Sequence, residues 1–388
     1  MLREVDRTRT RRNGRKPLLA DIVRTLERRV SPVGCETIPC RKALGRIAAR
    51  TVKAGRNLPL FDVSALDGFA CKGPGTRFVV KGSSGPGEKS LLRLQAGEAL
   101  FVPTGAAIPP HTRFVPVEQV REEAGHILVK ASGDMRKTWK KGYWIKKADE
   151  VVKRGERVKP RTMELLALAG LRDIALFLKP KVCILSTGNE LKTGLLPNSN
   201  QSLLAALVER DGGEIAQLAT AGDDDEEIGE SIAAMAGADL LLVTGGTAMG
   251  KRDVTRSSFE KRRATFLLDG LPIVPGKTMT AGKLAETLFF ILPGNPRALR
   301  TLYEAFIKRC LWKLAGRSGG PQSGTVPVPD DLEKEKDRIH LIPVTLARSP
   351  AARITELYAD EPDAFIILER GITRVRKGRE VELQWLDP

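Results

Sequence analysis

The sequence predicts a multidomain chain that combines an α/β domain on a mostly parallel sheet with an inserted β-rich domain and a β-rich C-terminal module. Three observations predict it. At 388 residues the chain exceeds what one hydrophobic core supports, so two to four domains are expected. From about Lys179 apolar strands alternate with helices, the pattern of a parallel sheet covered on both faces. Between about Asn57 and Tyr143, short β-rich pieces alternate with glycine and proline turns instead.

The elements follow in order. "PLLADIVRTLERRV", residues 17–30, sets leucine and valine at helical spacing behind Pro17, and "CRKALGRIAAR", residues 40–50, repeats the helical pattern. "RFVVKG", "ALFVPTG", "RFVPVEQV" and "HILVKA" read as strands. Helical character returns at "PRTMELLALAGL", which opens on Pro160 and stops at Gly170. These spans predict a helical linking domain, 1–56 with 144–178, interrupted by a β-rich insertion over 57–143. An α/β domain over 179–317 comes next. "KVCILSTG", "EIAQLATAG" and "ADLLLVTGG" are its strands; helices run from Asn200 to Gly213, through "DEEIGESIAAMAG", and from Leu299 to Leu314. After the Gly-, Pro- and Ser-rich "GRSGGPQSGTVPVPDD", a last β-rich module closes the chain over 318–388.

Composition excludes several function classes. No apolar run approaches the roughly 20 residues of a membrane span. The basic start "MLREVDRTRTRRNGRK" has no apolar core, so no secretory signal and a cytoplasmic location are expected. Cysteines 35, 40, 71, 183 and 310 are odd in number and form no C-x-x-C pair, which fits neither a disulfide framework nor a zinc site. The three histidines, His111, His126 and His340, have no metal-ligand spacing. A net charge of +17 favours anionic ligands. Residues 1–16 carry seven basic and two acidic side chains, yet no RNA-binding aromatic signature accompanies them, so a solvated arm is favoured over nucleic-acid binding.

Ligands of open parallel sheets bind outside the carboxyl ends of the strands. Two such ends, "CILSTGNEL" and "LLVTGGTAMGKRD", each pair a hydroxyl residue and glycine with a nearby carboxylate, Glu190 or Asp253. Bare glycine backbone can turn N–H groups toward a phosphate or oxyanion, and the carboxylates suit a bridging divalent cation or ribose hydroxyls. Asp223, Asp224 and Asp225 open a helix, where they serve as caps, as metal ligands, or as both. "IVPGKTMTAGKL" and "ILPGNPRALR" add two Pro-Gly turns near Lys277, Lys283, Arg297 and Arg300. "FDVSALDGFA" gathers Asp62, Ser64 and Asp67 at the mouth of the insertion.

"FDVSALDGFA", "VPTGAAIPP", "ILSTGNEL", "NSN", "LLVTGGTAMGKRD", "IVPGK" and "ILPGNP" stand in the order of the MoeA family of molybdopterin molybdenumtransferases, related to the gephyrin E domain, and the chain resembles that family over nearly its whole length. The resemblance implies a four-domain homodimer with a MogA-like three-layer α/β domain and a C-terminal β-barrel-like domain. It implies insertion of molybdenum from molybdate into adenylylated molybdopterin with Mg²⁺ and release of AMP, alongside other molybdenum-cofactor biosynthesis proteins.

By position, the resemblance implies catalytic roles for Asp67, Thr104, Glu190, Asp253 and Lys277. Metal ligation falls to Glu190, Asp223, Asp224 and Asp253. Cofactor binding falls to Ser186, Thr187 and Gly188, to Gly245, Gly246 and Gly250, to Pro275 and Gly276, and to Pro293, Gly294, Asn295 and Pro296. The sequence departs from the family's pattern at Asn189, Val274 and Ala248, at Val151 for the aspartate of a G-E-D stretch, and in "RSPAARI" for Q-G-S-G. Two other readings stay open: a divergent paralogue that binds the pterin nucleotide or another oxyanion such as tungstate, and a non-catalytic interaction module on the same fold.

Overall fold

The computed structural model describes residues 18–87, 93–130, 137–245, 251–328, 330–346, 353–354 and 362–386, with backbone only at 251–253 and 353–354. The basic segment 1–16 lies outside the described residues.

The α/β layer is a six-stranded mixed sheet in the order Glu214–Ala221, Lys181–Thr187, Leu240–Gly245, Thr287–Leu292, Thr280–Leu284, Thr265–Asp269. The first four strands are mutually parallel; Thr280–Leu284 runs antiparallel to them and Thr265–Asp269 antiparallel to it in turn. Its central strands are continuous apolar runs because both faces are covered. Alternate side chains divide between two cores. Val182, Ile184, Leu240, Leu242 and Phe290 enter one, with Leu204, Leu207, Val208, Leu299 and Leu302. Cys183, Leu185, Leu241, Val243 and Phe289 enter the other, with Ile228, Ile232, Met235 and Phe259. The period of two along each strand thus fixes helices Ser199–Arg210 and Pro296–Leu302 on one face and Asp225–Met235 and Lys251–Lys261 on the other.

The insertion is a second six-stranded sheet, ordered Arg113–Pro116, Gly68–Cys71, Glu98–Val102, Arg77–Ser83, His126–Val129, Val120–Glu123. Between insertion and α/β layer, Cys35–Pro39 pairs antiparallel with Asp173–Phe177, beside helix Pro160–Leu168. The N-terminal helix Leu19–Glu27 buries Leu19, Ile22, Val23 and Leu26 in the same core as the α/β helices. A C-terminal sheet runs Ile273–Val274, Ile339–Thr345, Ala364–Leu368, Glu380–Trp385, Ser323–Pro327, with Arg353–Ile354 against Ile339–Thr345.

One expected helix is absent. Residues 40–50 form only the 3₁₀ turn Cys40–Lys42 and then bend. Their backbone bonds outward instead: Cys40 N donates to Arg172 O, Gly45 N to Val158 O and Ala48 N to Glu156 O. Tertiary pairing overrides an alanine-rich pattern whose local helix is marginal on its own.

The expected helix from Leu299 to Leu314 is interrupted by a π-helical turn, Tyr303–Ile307. There Lys308 Nζ pairs with Glu304 Oε2 at 3.0 Å with both side chains at most 1% exposed. Arg210 reaches Glu304 Oε1 and Asp211 Oδ2, each at 2.7 Å. Burial works against the Arg210 charge, but its hydrogen bond to Asp211 and the neighbouring carboxylates outweigh that and raise its pKa. Removing one partner of such a buried pair strands the other. Glu304→Ala is expected to cost about 3–5 kcal/mol in denaturant unfolding, and Glu304→Leu combined with Lys308→Met to recover most of it. A single variant as stable as the parent would contradict this.

Candidate functional site

Strands Lys181–Thr187, Glu214–Ala221, Leu240–Gly245 and Thr287–Leu292 point their carboxyl ends the same way, so the segments after them gather at one rim. Close packing of backbones builds that rim. Gly245 has φ +102°, and a Cβ there would stand 2.1 Å from Thr187 O. Gly188 has φ +148°, and the Glu190 carboxylate folds over it, 2.6 Å from where a Cβ would be. Both positions require glycine.

Two asparagines lock the rim to the helix that follows. Asn198 caps helix Ser199–Arg210 by accepting from Gln201 N at 3.2 Å. It also accepts from Ser186 Oγ at 3.1 Å and donates to Thr220 Oγ1 at 3.2 Å. Asn200 Nδ2 donates to Gly294 O at 2.8 Å. Among the described residues, buried Thr187 Oγ1 and Asn200 Oδ1 have no hydrogen-bond partner. An orphaned buried polar atom costs about 1–3 kcal/mol, so a ligand group that bonds either atom recovers that cost. The motif N-S-N carried the signal for Asn198 and Asn200, yet neither stands among the residues expected to act.

The acidic residues divide their work. Asp223 Oδ2 accepts from Asn189 N at 3.3 Å while Asn189 Oδ1 accepts from Asp223 N at 3.2 Å. Asp224 is a helix cap, its Oδ1 accepting from Glu226 N and Glu227 N at 3.0 Å each. Asp225 takes the Ser258 hydroxyl at 2.7 Å and the Lys261 ammonium, tying helix Asp225–Met235 to helix Lys251–Lys261. Asp253 lies in the first turn of that second helix, with its side chain outside the described residues. Gly246, Ala248 and Gly250 also lie outside them. Among the described residues no group of three or more His, Cys, Asp or Glu stands as a ready metal cage. The carboxylates here are nonetheless hard oxygen donors, the kind Mg²⁺ takes beside waters and phosphates.

The Pro-Gly turns are placed by different neighbours. Strand Ile273–Val274 pairs parallel with Ile339–Thr345, Val274 opposite His340, so the C-terminal sheet holds the Pro275, Gly276 and Lys277 turn. Lys277 is exposed. In Pro293, Gly294, Asn295 and Pro296 the asparagine caps helix Pro296–Leu302, accepting from Arg297 N at 3.0 Å and Ala298 N at 3.3 Å.

Asp67 and Thr104 form a separate clamp in the insertion. Asp67 Oδ1 accepts from Thr104 N at 2.7 Å and Thr104 Oγ1 at 2.9 Å. Among the described residues no hydrogen bond or ion pair links either to the strand-end rim.

Val151 is a core residue in strand Glu150–Val152, 6% exposed, directly after the carboxylates Asp149 and Glu150. Of "RSPAARI", only Arg353–Ile354 is described.

Fold and rim together define a multidomain α/β protein with a candidate ligand site at the carboxyl edge of its sheet. Residues 18–170 match the model of the "MoeA N-terminal region (domain I and II)" and residues 183–313 that of the "Probable molybdopterin binding domain". A protein named molybdopterin molybdenumtransferase from Haemophilus influenzae is 32% identical over 311 residues, 75% of this chain and 76% of its own length. One of that name from Bacillus subtilis is 28% identical over 390 residues, covering 90% and 89%. A crystal structure of a molybdopterin biosynthesis MoeA protein from Pyrococcus horikosii superposes with a TM-score of 0.77 at 27% identity, covering 95% of this chain and 99% of that one. The chain belongs to the MoeA family.

The Asp67 clamp has a pH signature. Hydrogen bonds from the Thr104 amide, then from its hydroxyl, hold the Asp67 carboxyl below its ordinary value of 3.8. A depressed carboxyl contributes stability above the unfolded-state pKa and loses it as pH falls through the folded one. Thr104→Val removes the hydroxyl donor, so the Asp67 midpoint is expected to rise toward its ordinary value in an NMR titration; an unmoved midpoint would rule the clamp out.

Proposed function

We propose that this chain is a transferase of molybdenum-cofactor biosynthesis that inserts molybdenum from molybdate into adenylylated molybdopterin and releases AMP. The observation that carries the reading is the pair of orphaned buried atoms, Thr187 Oγ1 and Asn200 Oδ1, at the glycine-lined rim. Membership of a family whose relatives are named molybdopterin molybdenumtransferase supports it.

The chain's own residues bind and orient. Thr187 and Asn200 give the substrate polar partners, and the backbone around Gly188 and Gly245 lets it approach closely. Lys277 offsets anionic charge from the turn beside the rim. Glu190, Asp223 and Asp253 would hold Mg²⁺; Asp224, already a helix cap, supports them through helix Asp225–Met235. Bound Mg²⁺ supplies charge to polarise phosphate oxygens. Molybdate, as substrate, is brought to the dithiolene by binding and orientation.

The Asp67 and Thr104 clamp has no link to the rim within the described chain, which supports a homodimer in which a second copy's insertion closes the cleft. No described helix is long and apolar enough to cross a membrane. A cytoplasmic protein that works beside other molybdenum-cofactor enzymes is part of the same proposal.

Val274, where the family has lysine, favours one variation: an oxyanion pocket with less charge, in a divergent paralogue that handles molybdate less efficiently or takes another oxyanion such as tungstate. Turnover with each oxyanion measures that choice.

With purified protein, Asp253→Ala is expected to abolish molybdate-dependent AMP release, and Lys277→Ala to slow it by about 10²–10³-fold, while both variants keep the parent's unfolding profile. Unchanged turnover in both would sink the assignment. Wild type, but not Asp253→Ala, should also complement a strain lacking molybdenum insertion.

A further inference from the structure

At the opposite end of the same sheet lies a cavity of about 210 Å³. Lys179 reaches it from the connection ahead of strand Lys181–Thr187, and Asp211 and Gly212 from the connection ahead of Glu214–Ala221. It therefore faces the amino ends of the strands, about 23 Å from the rim for a seven-residue strand. Five cationic side chains line it, Arg46, Arg157, Lys179, Arg210 and Arg317, against two carboxylates, while Leu44 and Phe177 supply apolar wall.

Charge decides what fits. The carboxyl ends of helices Ser199–Arg210 and Lys308–Leu314 also adjoin the cavity and contribute about half a negative charge each, too little to cancel the cationic excess. Arg46 is engaged with Glu36 Oε1 at 2.5 Å and Phe177 O at 2.8 Å, and Arg210 with Asp211 and Glu304. Arg157 makes one bond, from Nε to Gly45 O at 3.3 Å. Among the described residues neither Arg157 nor Lys179 has an ion-pair partner. We propose that this cavity is a second anion site, for a small phosphate-type oxyanion, that communicates with the strand-end rim. By volume it holds roughly seven waters, room for a phosphate group with part of its hydration.

The communication has a physical route. Helix Ser199–Arg210, about 18 Å long, places Asn198 and Asn200 at the rim and Arg210 at the cavity. Arg210 then bonds Glu304 in the π-helical turn of the helix that starts at the Asn295 cap, again at the rim. An anion that draws on Arg210 therefore acts on both helices. Binding in the cavity is independent of the function proposed above; only the communication rests on it.

The test uses the full chain and inorganic phosphate, followed by calorimetry and by tryptophan emission. Arg317 lines the cavity and stacks 3.4 Å over the Trp312 ring, so occupancy should perturb that fluorophore, and Trp312→Phe should remove the signal. Arg157→Ala with Lys179→Ala alters two exposed side chains and is expected to weaken phosphate binding about tenfold or more without changing unfolding in phosphate-free buffer. Lys277→Ala, at the other end of the sheet, should leave this binding intact. No saturable binding, wild-type binding by the double variant, or loss in Lys277→Ala alone would each overturn the site. The KM for the pterin substrate should shift with phosphate in wild type, by about fivefold or more, and not in the double variant. A KM indifferent to phosphate overturns the communication even where calorimetry upholds the site.

Discussion

The close parallel register between strands Lys181–Thr187 and Leu240–Gly245 is the constraint on which the rest of the structure depends. Thr187 lies opposite Gly245, and the Thr187 carbonyl occupies the space that any β-carbon at 245 would need. Only a glycine admits this contact, and only at a strand end does it leave backbone free for a ligand. Both faces of the two strands are sealed by helices, so their side chains up to Thr187 and Thr244 are committed to packing. Polar chemistry has one outlet, the rim. There, among the described residues, two buried polar atoms stand without partners, against the general rule that a folded protein satisfies them. A cost of that kind persists where binding recovers it.

Around this rim, structural and chemical duties are shared among neighbouring residues of one type. Three consecutive aspartates illustrate it. Asp224 satisfies the amides that open a helix, Asp225 ties that helix to the next, and Asp223 braces the loop after Thr187 through Asn189. The Asp224 bonds are local while those of Asp223 and Asp225 join distant parts of the chain, and together they set the positions of Glu190 and of the helix that carries Asp253. The neutral Asn189 fits this arrangement because its amide oxygen accepts from Asp223 N, a role that an ionised side chain beside Asp223 would perform at the expense of like-charge repulsion.

What the sequence made legible follows the range of the forces involved. The helices and strands of the α/β layer were readable because period and burial are local properties of the chain; Ser199–Arg210, Asp225–Met235 and Leu240–Gly245 lie where the pattern put them. Residues 40–50 were misread because their partners, Glu156, Val158 and Arg172, are more than a hundred residues away. The π-helical turn was invisible for a similar reason: it accommodates Glu304 and Lys308 against Arg210, and no local pattern encodes that. The motifs located the rim, but the orphaned oxygen of Asn200 is a property of packing alone.

The site is also inseparable from the modules around it. Lys277 stands where it does because Ile273–Val274 leaves the α/β layer to pair with Ile339–Thr345 of the C-terminal sheet. Val274 is β-branched and half-buried in that pairing, which suits a strand better than a lysine would, so this departure from the family's pattern is a gain in sheet packing at the expense of charge near the rim. One core joins helix Leu19–Glu27, helices Ser199–Arg210 and Pro296–Leu302, and Leu341, Phe365 and Ile367 of the C-terminal sheet. On the proposed function the chain binds and orients its substrate, and the positions of the orienting groups are set by the packing of these modules against one another.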